Sequence, residues 1–317
     1  MNKLKSLLRL ARPGHWIKNL VVFIPLVFSG EMLVADKFFL VVKTALIFCL
    51  MSSAVYIVND IMDCKADKLH PEKKHRPIAS GEISVHTAAA LAVLLSLLST
   101  ALSIVWVKSE YLTLFVVVYC IVMFLYSLLL KHIPIVDAIT VALGFVIKAV
   151  AGSVVIQVSL ASFLVVTIIS TALLISFGKR MAEVASMGMK KSVKHRAALA
   201  DYTPELLSTM ISALTASAFV SYALFAYNTS YIGLSVYLSD VLPPMYKYPQ
   251  WLMLTIPLVF YCLARYLVVV YNKNKEVGTP ESLVFRDLGL FMSIALWGIL
   301  VIGIIYLPEI VNGSWSL

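Results

Sequence analysis

Charge is scarce in this chain: 14% of its 317 residues are Asp, Glu, Lys or Arg, against 61% hydrophobic. A mean hydropathy of +0.91 is more apolar than a water-soluble domain hides in one core. Cysteine is scarcer still. Cys49, Cys64, Cys120 and Cys262 show no C-x-x-C or metal-ligand spacing, which argues against a zinc module, and three of the four lie in apolar stretches as packing residues. No Gly/Ser linker or low-complexity run divides the sequence, so it reads as one helical domain over residues 1–317. The opening MNKLKSLLRLARPGHWIKN lacks the apolar core and small-residue cleavage site of a signal peptide. It reads as a basic, amphipathic helix at a membrane interface.

What is abundant is sequence suited to lipid. A hydrocarbon layer of about 30 Å takes about 20 apolar residues in a helix, and nine such stretches occur, at 16–34, 38–58, 85–107, 111–130, 133–156, 159–178, 206–227, 250–271 and 288–307. Continuous apolar runs favour helices over barrel strands, so the expected fold is all-α and polytopic with about nine transmembrane helices. Basic residues set the orientation, because Lys and Arg beside spans stay in the cytoplasm. With the N-terminus inside, 20 of the 26 Lys and Arg residues fall in cytoplasmic segments, and the C-terminus is outside. The same bias accounts for most of the formal charge of +9, which leaves no argument for nucleic acid as a partner.

Two long cytoplasmic loops, 59–84 and 179–204, hold most of the polarity, and a long outer loop covers 228–249. Two helices share a starting signal, Thr203-Pro204-Glu205 and Thr279-Pro280-Glu281, in which Thr caps, Pro suits the first turn and Glu favours the positive dipole end.

The first loop carries the chemistry. Asn59-Asp60-Ile61-Met62-Asp63-Cys64-Lys65-Ala66-Asp67 follows the second span, and offsets of three and four residues place Asp60, Asp63 and Asp67 on one helical face with Asn59 beside Asp63. Like charges so crowded call for a cation. Mg²⁺ takes hard oxygen ligands and bridges carboxylates to substrate phosphates, and Lys73, Lys74 and Arg76 downstream can grip those phosphates. The alternative is a solvated charged loop, which the ordered spacing disfavours.

A second cluster, Lys179, Arg180 and Glu183, followed by Lys190, Lys191, Lys194, His195 and Arg196, occupies the other long cytoplasmic loop. Its basic side chains suit an anionic second substrate, although basic residues at a helix C-terminus also serve as anchors. Asp137, Lys148 and Arg265 fall inside apolar spans, where an ionisable group is costly. Asp137, with Tyr126 and Lys131 around the tight turn between spans four and five, is expected at the site; snorkelling would also explain Lys131. For Lys148 and Arg265 structure and function remain equally open.

Through NDIMDCKADKLHPEKKHRPIASG and its place after the second span, the chain resembles the UbiA superfamily of intramembrane prenyltransferases. The resemblance implies a nine-helix bundle around a lateral cavity, with Mg²⁺ and a diphosphate held by Asn59, Asp60, Asp63 and Asp67. Further similarity in RPGHWIKNLVVFIPLVFSG, YSLLLKHIPIVDAIT, GFVIKAVAG, GKRMAE, HRAALADYTPE and GTPESLVFRD points to the branch that moves a phosphoribosyl group from phosphoribosyl diphosphate to a decaprenyl-type polyprenyl phosphate, in the making of cell-envelope polysaccharide precursors. Relatives that prenylate aromatic rings have a second aspartate motif where this chain has Lys179, Arg180 and Glu183, a departure that counts against a prenyl diphosphate donor. In this branch Lys18, Lys73 and Arg76 would contact phosphates, with Lys179, Arg180 and Arg196 as further contacts, and Tyr126, Lys131 and Asp137 would hold the ribose or its 5-phosphate. Two other readings compete: a prenyltransferase joining an isoprenoid diphosphate to an aromatic or other acceptor, and a transporter with its aspartates at mid-membrane.

Overall fold

The computed structural model describes residues 3–69, 73–187, 201–229, 250–271 and 287–312. Among these residues the regular structure is helical throughout, as the long apolar runs require in lipid, where each backbone donor and acceptor must be satisfied inside its own segment. In chain order the helices are α1 (Lys3–Ala11), α2 (Ile24–Phe28), α3 (Ala35–Met62), α4 (Cys64–Asp67), α5 (Val85–Leu102), α6 (Glu110–Leu128), α7 (Val136–Val155), α8 (Ser162–Met187), α9 (Pro204–Asn228), α10 (Ile256–Tyr271) and α11 (Leu288–Asn312). Eight helical stretches among the described residues are long and apolar enough to cross a membrane.

The remaining predicted span, 16–34, takes another form. Residues Pro13–Phe23 wind as a 3₁₀ helix and continue into α2, because Pro25 brings no N–H to an α-helical ladder and Gly30, at φ 80°, ends the run. Tighter winding rises about 2.0 Å per residue, so this segment still reaches about 30 Å, close to a hydrocarbon thickness.

Contacts divide the chain into two compact units. The first is mainly Met1–Leu26 with Asp36–Ser159, and the second mainly Val27–Ala35, Leu160–Ser192 and Tyr202–Leu317. In the first unit α7 packs on the 3₁₀ segment so closely that a Cβ on Gly152 would lie 2.2 Å from the Val22 carbonyl oxygen. Amphipathic α1 buries Leu10 among Ile57, Ile78, Ile83 and Ala88, and Ser6 Oγ donates to Glu82 Oε2 at 2.7 Å. The expected interfacial helix is thereby fastened over the end of α3. Helices α5 and α6 start on serine caps, Ser84 accepting from Thr87 N and Ser109 from Leu112 N.

In the second unit α8 and α9 pack side by side, with Ser170 and Ser217 hydroxyls 2.8 Å apart. Thr203 caps α9 through Leu206 N, with Pro204 in the first turn, as its sequence signal requires; the matching Thr279-Pro280-Glu281 lies outside the described residues. Tyr222 accepts from Trp297 Nε1 at 3.0 Å and lies 2.6 Å from Thr255 Oγ1. Arg265 is explained by packing: its Nε and Nη2 meet Asp287 Oδ1 and Oδ2 at 2.9 and 3.1 Å, a two-point pair that compensates both charges.

Candidate active site

Helix α3 has 28 residues, about 42 Å of rise, which is longer than the hydrocarbon it must cross. Its last turn carries Asn59 and Asp60, at the far end of a helix longer than one hydrocarbon thickness. The helix breaks at Asp63 and resumes as α4, yet the backbone keeps its i to i−4 bonds across the break, Asp63 N to Asn59 O at 2.9 Å and Asp67 N to Asp63 O at 2.8 Å. The expected spacing of the four ligand-type residues thus survives the interruption.

Their charge environment corrects a sequence expectation. The aspartates were expected to crowd one another and so to demand an external cation, but basic side chains from three separate segments reach them. Asp60 Oδ1 accepts from Arg12 Nη2 at 2.5 Å and Arg76 Nη1 at 3.0 Å. The same Arg76 nitrogen reaches Asp67 Oδ2 at 2.6 Å. Lys131 Nζ donates to Asp63 Oδ1 at 2.5 Å and to Asn59 Oδ1 at 3.4 Å, while Asn59 Nδ2 donates to Asp63 Oδ2 at 2.9 Å. Spacing along one helix showed only the like charges; the opposite charges come from residues 12, 76 and 131, which the fold brings in.

Asp60 and Asp67 are buried, 2% and 4% exposed. Burial pushes the Asp67 carboxyl above its usual value, against the opposing pull of Arg76 and Lys73. Outside this cluster, Glu82 is held below the ordinary glutamate value chiefly by the hydrogen bond from Ser6, with help from Arg9.

Among the described residues no three His, Cys, Asp or Glu side chains converge as a metal-holding group. The donor chemistry nonetheless fits a hard divalent cation: Asn59, Asp60, Asp63 and Asp67 offer oxygen only. Two pairs of these oxygens already bracket a cationic nitrogen, Asp60 with Asp67 around Arg76 and Asn59 with Asp63 around Lys131.

The other sequence candidates divide. Lys131 is 6% exposed on the 3₁₀ turn Leu130–His132 and reaches inward to the motif, so snorkelling does not account for it. Asp137 is fully buried in the first turn of α7, where the helix dipole favours its charge. Tyr126 is half-buried near the end of α6, Lys18 half-buried on the 3₁₀ segment, and Lys73 half-buried at the start of the turn that carries Arg76. Lys148 lies deep in α7, its Nζ 3.2 Å from Ser52 Oγ and 4.6 Å from the centre of the Tyr119 ring; Ser52 in turn donates to Asn19 Oδ1 at 3.1 Å. In the second unit, buried Arg180 donates to Glu183 Oε2 at 2.8 Å, while neighbouring Lys179 is exposed. Arg196, like Lys190, Lys191, Lys194 and His195, lies outside the described residues.

Sequence reasoning missed Arg12, because a basic amphipathic N-terminus reads as a membrane anchor. The one available signal is Arg12-Pro13 at the close of that helix. Arg12 adopts a left-handed backbone (φ 51°, ψ 57°), and its guanidinium also sits 5.4 Å from the centre of the Tyr56 ring.

Comparison with known proteins adds three findings. The UbiA prenyltransferase family matches residues 22–285. The decaprenyl-phosphate phosphoribosyltransferase of Mycolicibacterium smegmatis is 29% identical over 300 residues, covering 93% of this chain and 91% of that one; the protein of the same name from Corynebacterium glutamicum is 28% identical over 308 residues, covering 96% and 88%. A UbiA homologue from Archaeoglobus fulgidus, solved bound to GPP and Mg²⁺, superposes with a TM-score of 0.65 at 18% identity, covering 95% of this chain and 99% of that one.

Proposed function

The chain belongs to the UbiA prenyltransferase family, and from that premise we propose that it transfers the 5-phosphoribosyl group of phosphoribosyl diphosphate to a polyprenyl phosphate, releasing diphosphate. The observation that carries this reading is the likeness to decaprenyl-phosphate phosphoribosyltransferases over nine-tenths of both chains. The aspartates support it over a transporter, since they stand at the terminus of α3 rather than at its centre.

In the proposed reaction an oxygen of the lipid phosphate attacks ribosyl C1, the bond from C1 to the diphosphate oxygen breaks, and its electron pair leaves with the diphosphate. The nucleophile is already anionic, so no general base is needed; the chain's task is to position it. Asn59, Asp60, Asp63 and Asp67 are the residues that would hold Mg²⁺, whose chemistry when bound is to neutralise the leaving diphosphate. Arg76, Lys73 and Lys18 contact phosphate oxygens. Tyr126, Lys131 and Asp137 orient the ribose and its 5-phosphate, and buried Asp137 adds negative potential as C1 gains oxocarbenium character. Lys179, Arg180, Glu183 and Arg196 serve the lipid phosphate. The positive-inside bias supports a site on the cytoplasmic face of the inner membrane, and the product would enter cell-envelope polysaccharide synthesis.

The test is a product assay with purified protein, Mg²⁺, polyprenyl phosphate and labelled phosphoribosyl diphosphate. The expected result is a labelled, lipid-soluble phosphoribosyl product with release of diphosphate. Consumption of a prenyl diphosphate with an aromatic acceptor, and no phosphoribosylated lipid, overturns the reading in favour of the prenyltransferase.

A further inference from the structure

Each aspartate of the motif touches a cationic nitrogen: Asp60 meets Arg12 and Arg76, Asp67 meets Arg76, and Asp63 meets Lys131. We propose that Arg12, Arg76 and Lys131 are exchangeable counter-ions, which give up the aspartates to a divalent cation and take the diphosphate oxygens in return, so that cation and diphosphate bind as a coupled pair. This rests on the reading of Asn59, Asp60, Asp63 and Asp67 as a metal and diphosphate motif; it adds Arg12 to the residues that hold phosphate and gives Lys131 a diphosphate contact beside its place at the ribose and 5-phosphate.

In a buried place each charge needs a partner. Asp60 and Asp67 are nearly inaccessible, and Lys131 is 6% exposed. A cation entering alone must displace basic groups from the carboxylates and gives them no charge in exchange, the costly way to break a buried pair. A diphosphate entering alone strands the aspartates instead. Entering together, the two restore a partner to every charge, and charge-assisted bonds from guanidinium to phosphate replace those to carboxylate.

Arg12 is built for the exchange. Its backbone is fixed on both sides, Arg12 N donating to Arg9 O at 3.3 Å and Arg12 O accepting from His15 N at 2.9 Å, and it sits in the left-handed region that non-glycine residues hold only under such constraint. Its side chain is 19% exposed where the Asp60 side chain is 2% exposed, so the guanidinium can turn toward a ligand while the carboxylate stays put. One carboxylate oxygen shared by two guanidinium groups also lets Arg12 and Arg76 leave one after the other.

The experiment measures Mn²⁺ binding to the full-length protein in detergent by the EPR signal of the free ion, alone and with inorganic pyrophosphate, corrected for the metal–pyrophosphate complex formed without protein. Pyrophosphate is expected to tighten Mn²⁺ by about 5- to 150-fold, the usual span of site-to-site coupling. Arg12→Gln is expected to bind Mn²⁺ alone more tightly than wild type and to lose much of that coupling, and Arg12→Lys to regain it. Mn²⁺ and pyrophosphate each binding well with a coupling factor near one overturns the exchange and leaves the diphosphate site standing; no Mn²⁺ binding even with saturating pyrophosphate overturns both. Unchanged coupling in a folded Arg12→Gln protein removes Arg12 from the set.

Discussion

Lys131 Nζ lies 2.5 Å from Asp63 Oδ1, across 68 residues of sequence. The bond joins the short turn between α6 and α7 to the break after α3, so a helix-connecting turn supplies the motif with a cation. Lys131→Met removes the charge and keeps the stem. Turnover is expected to fall at least about 100-fold, while stability drops by only about 1 kcal/mol because Asp63 keeps 31% of its side chain in water. Assay and thermal unfolding on one preparation check this; near-normal turnover removes Lys131 from the site.

Asp60→Asn and Asp63→Asn keep shape and hydrogen bonding but delete one negative charge each. Both proteins are expected to elute as the wild type does and to show no turnover above background. Retained activity in either folded variant refutes the assignment of these carboxylates to the cation.

At Gly152 the neighbour of an added methyl is a backbone carbonyl, which cannot swing aside as a side-chain tip does. Gly152→Ala therefore pushes α7 off the 3₁₀ segment and is expected to cost about 1–3 kcal/mol. A melting temperature equal to wild type means the two elements part more easily than their packing implies.

Asp287 both pairs with Arg265 and accepts from Leu290 N at 3.0 Å at the start of α11. Asp287→Ala loses a cap and leaves a guanidinium uncompensated, at a cost of about 1–2 kcal/mol, with turnover of the folded protein unchanged. A change in KM for the lipid substrate without a stability change would place the pair in the site instead.

The docking of α1 is expected to depend on pH through Glu82. Its folded value is lowered, so its contribution is present above the unfolded glutamate value and is lost as pH falls through the lower folded one. Trypsin cleavage at Lys5 and Arg9 should accelerate in acid, measured by quenching samples held at each pH, and Glu82→Gln should flatten the profile. An unchanged profile in that variant assigns the dependence to another group.

Much of the fold was legible because membrane insertion leaves a plain mark, a run of apolar residues as long as the lipid is thick. The eight long helices answer to such runs, and Thr203-Pro204 marks a helix start seen in the structure. The 16–34 run was legible as apolar but not as 3₁₀, since hydropathy does not register what Pro25 does to the hydrogen-bond ladder. Asn59, Asp60, Asp63 and Asp67 were legible because their partners in register are local, at offsets of three and four.

The amino-acid order alone determined that this chain lives in lipid and that a hard-oxygen motif stands at the end of α3, because both depend on residues close together in sequence. Only the tertiary structure decided how that motif is neutralised. Arg12, Arg76 and Lys131 come from three segments that no local periodicity links to residue 60, and a buried charge is paired by whatever the fold brings within about 3 Å.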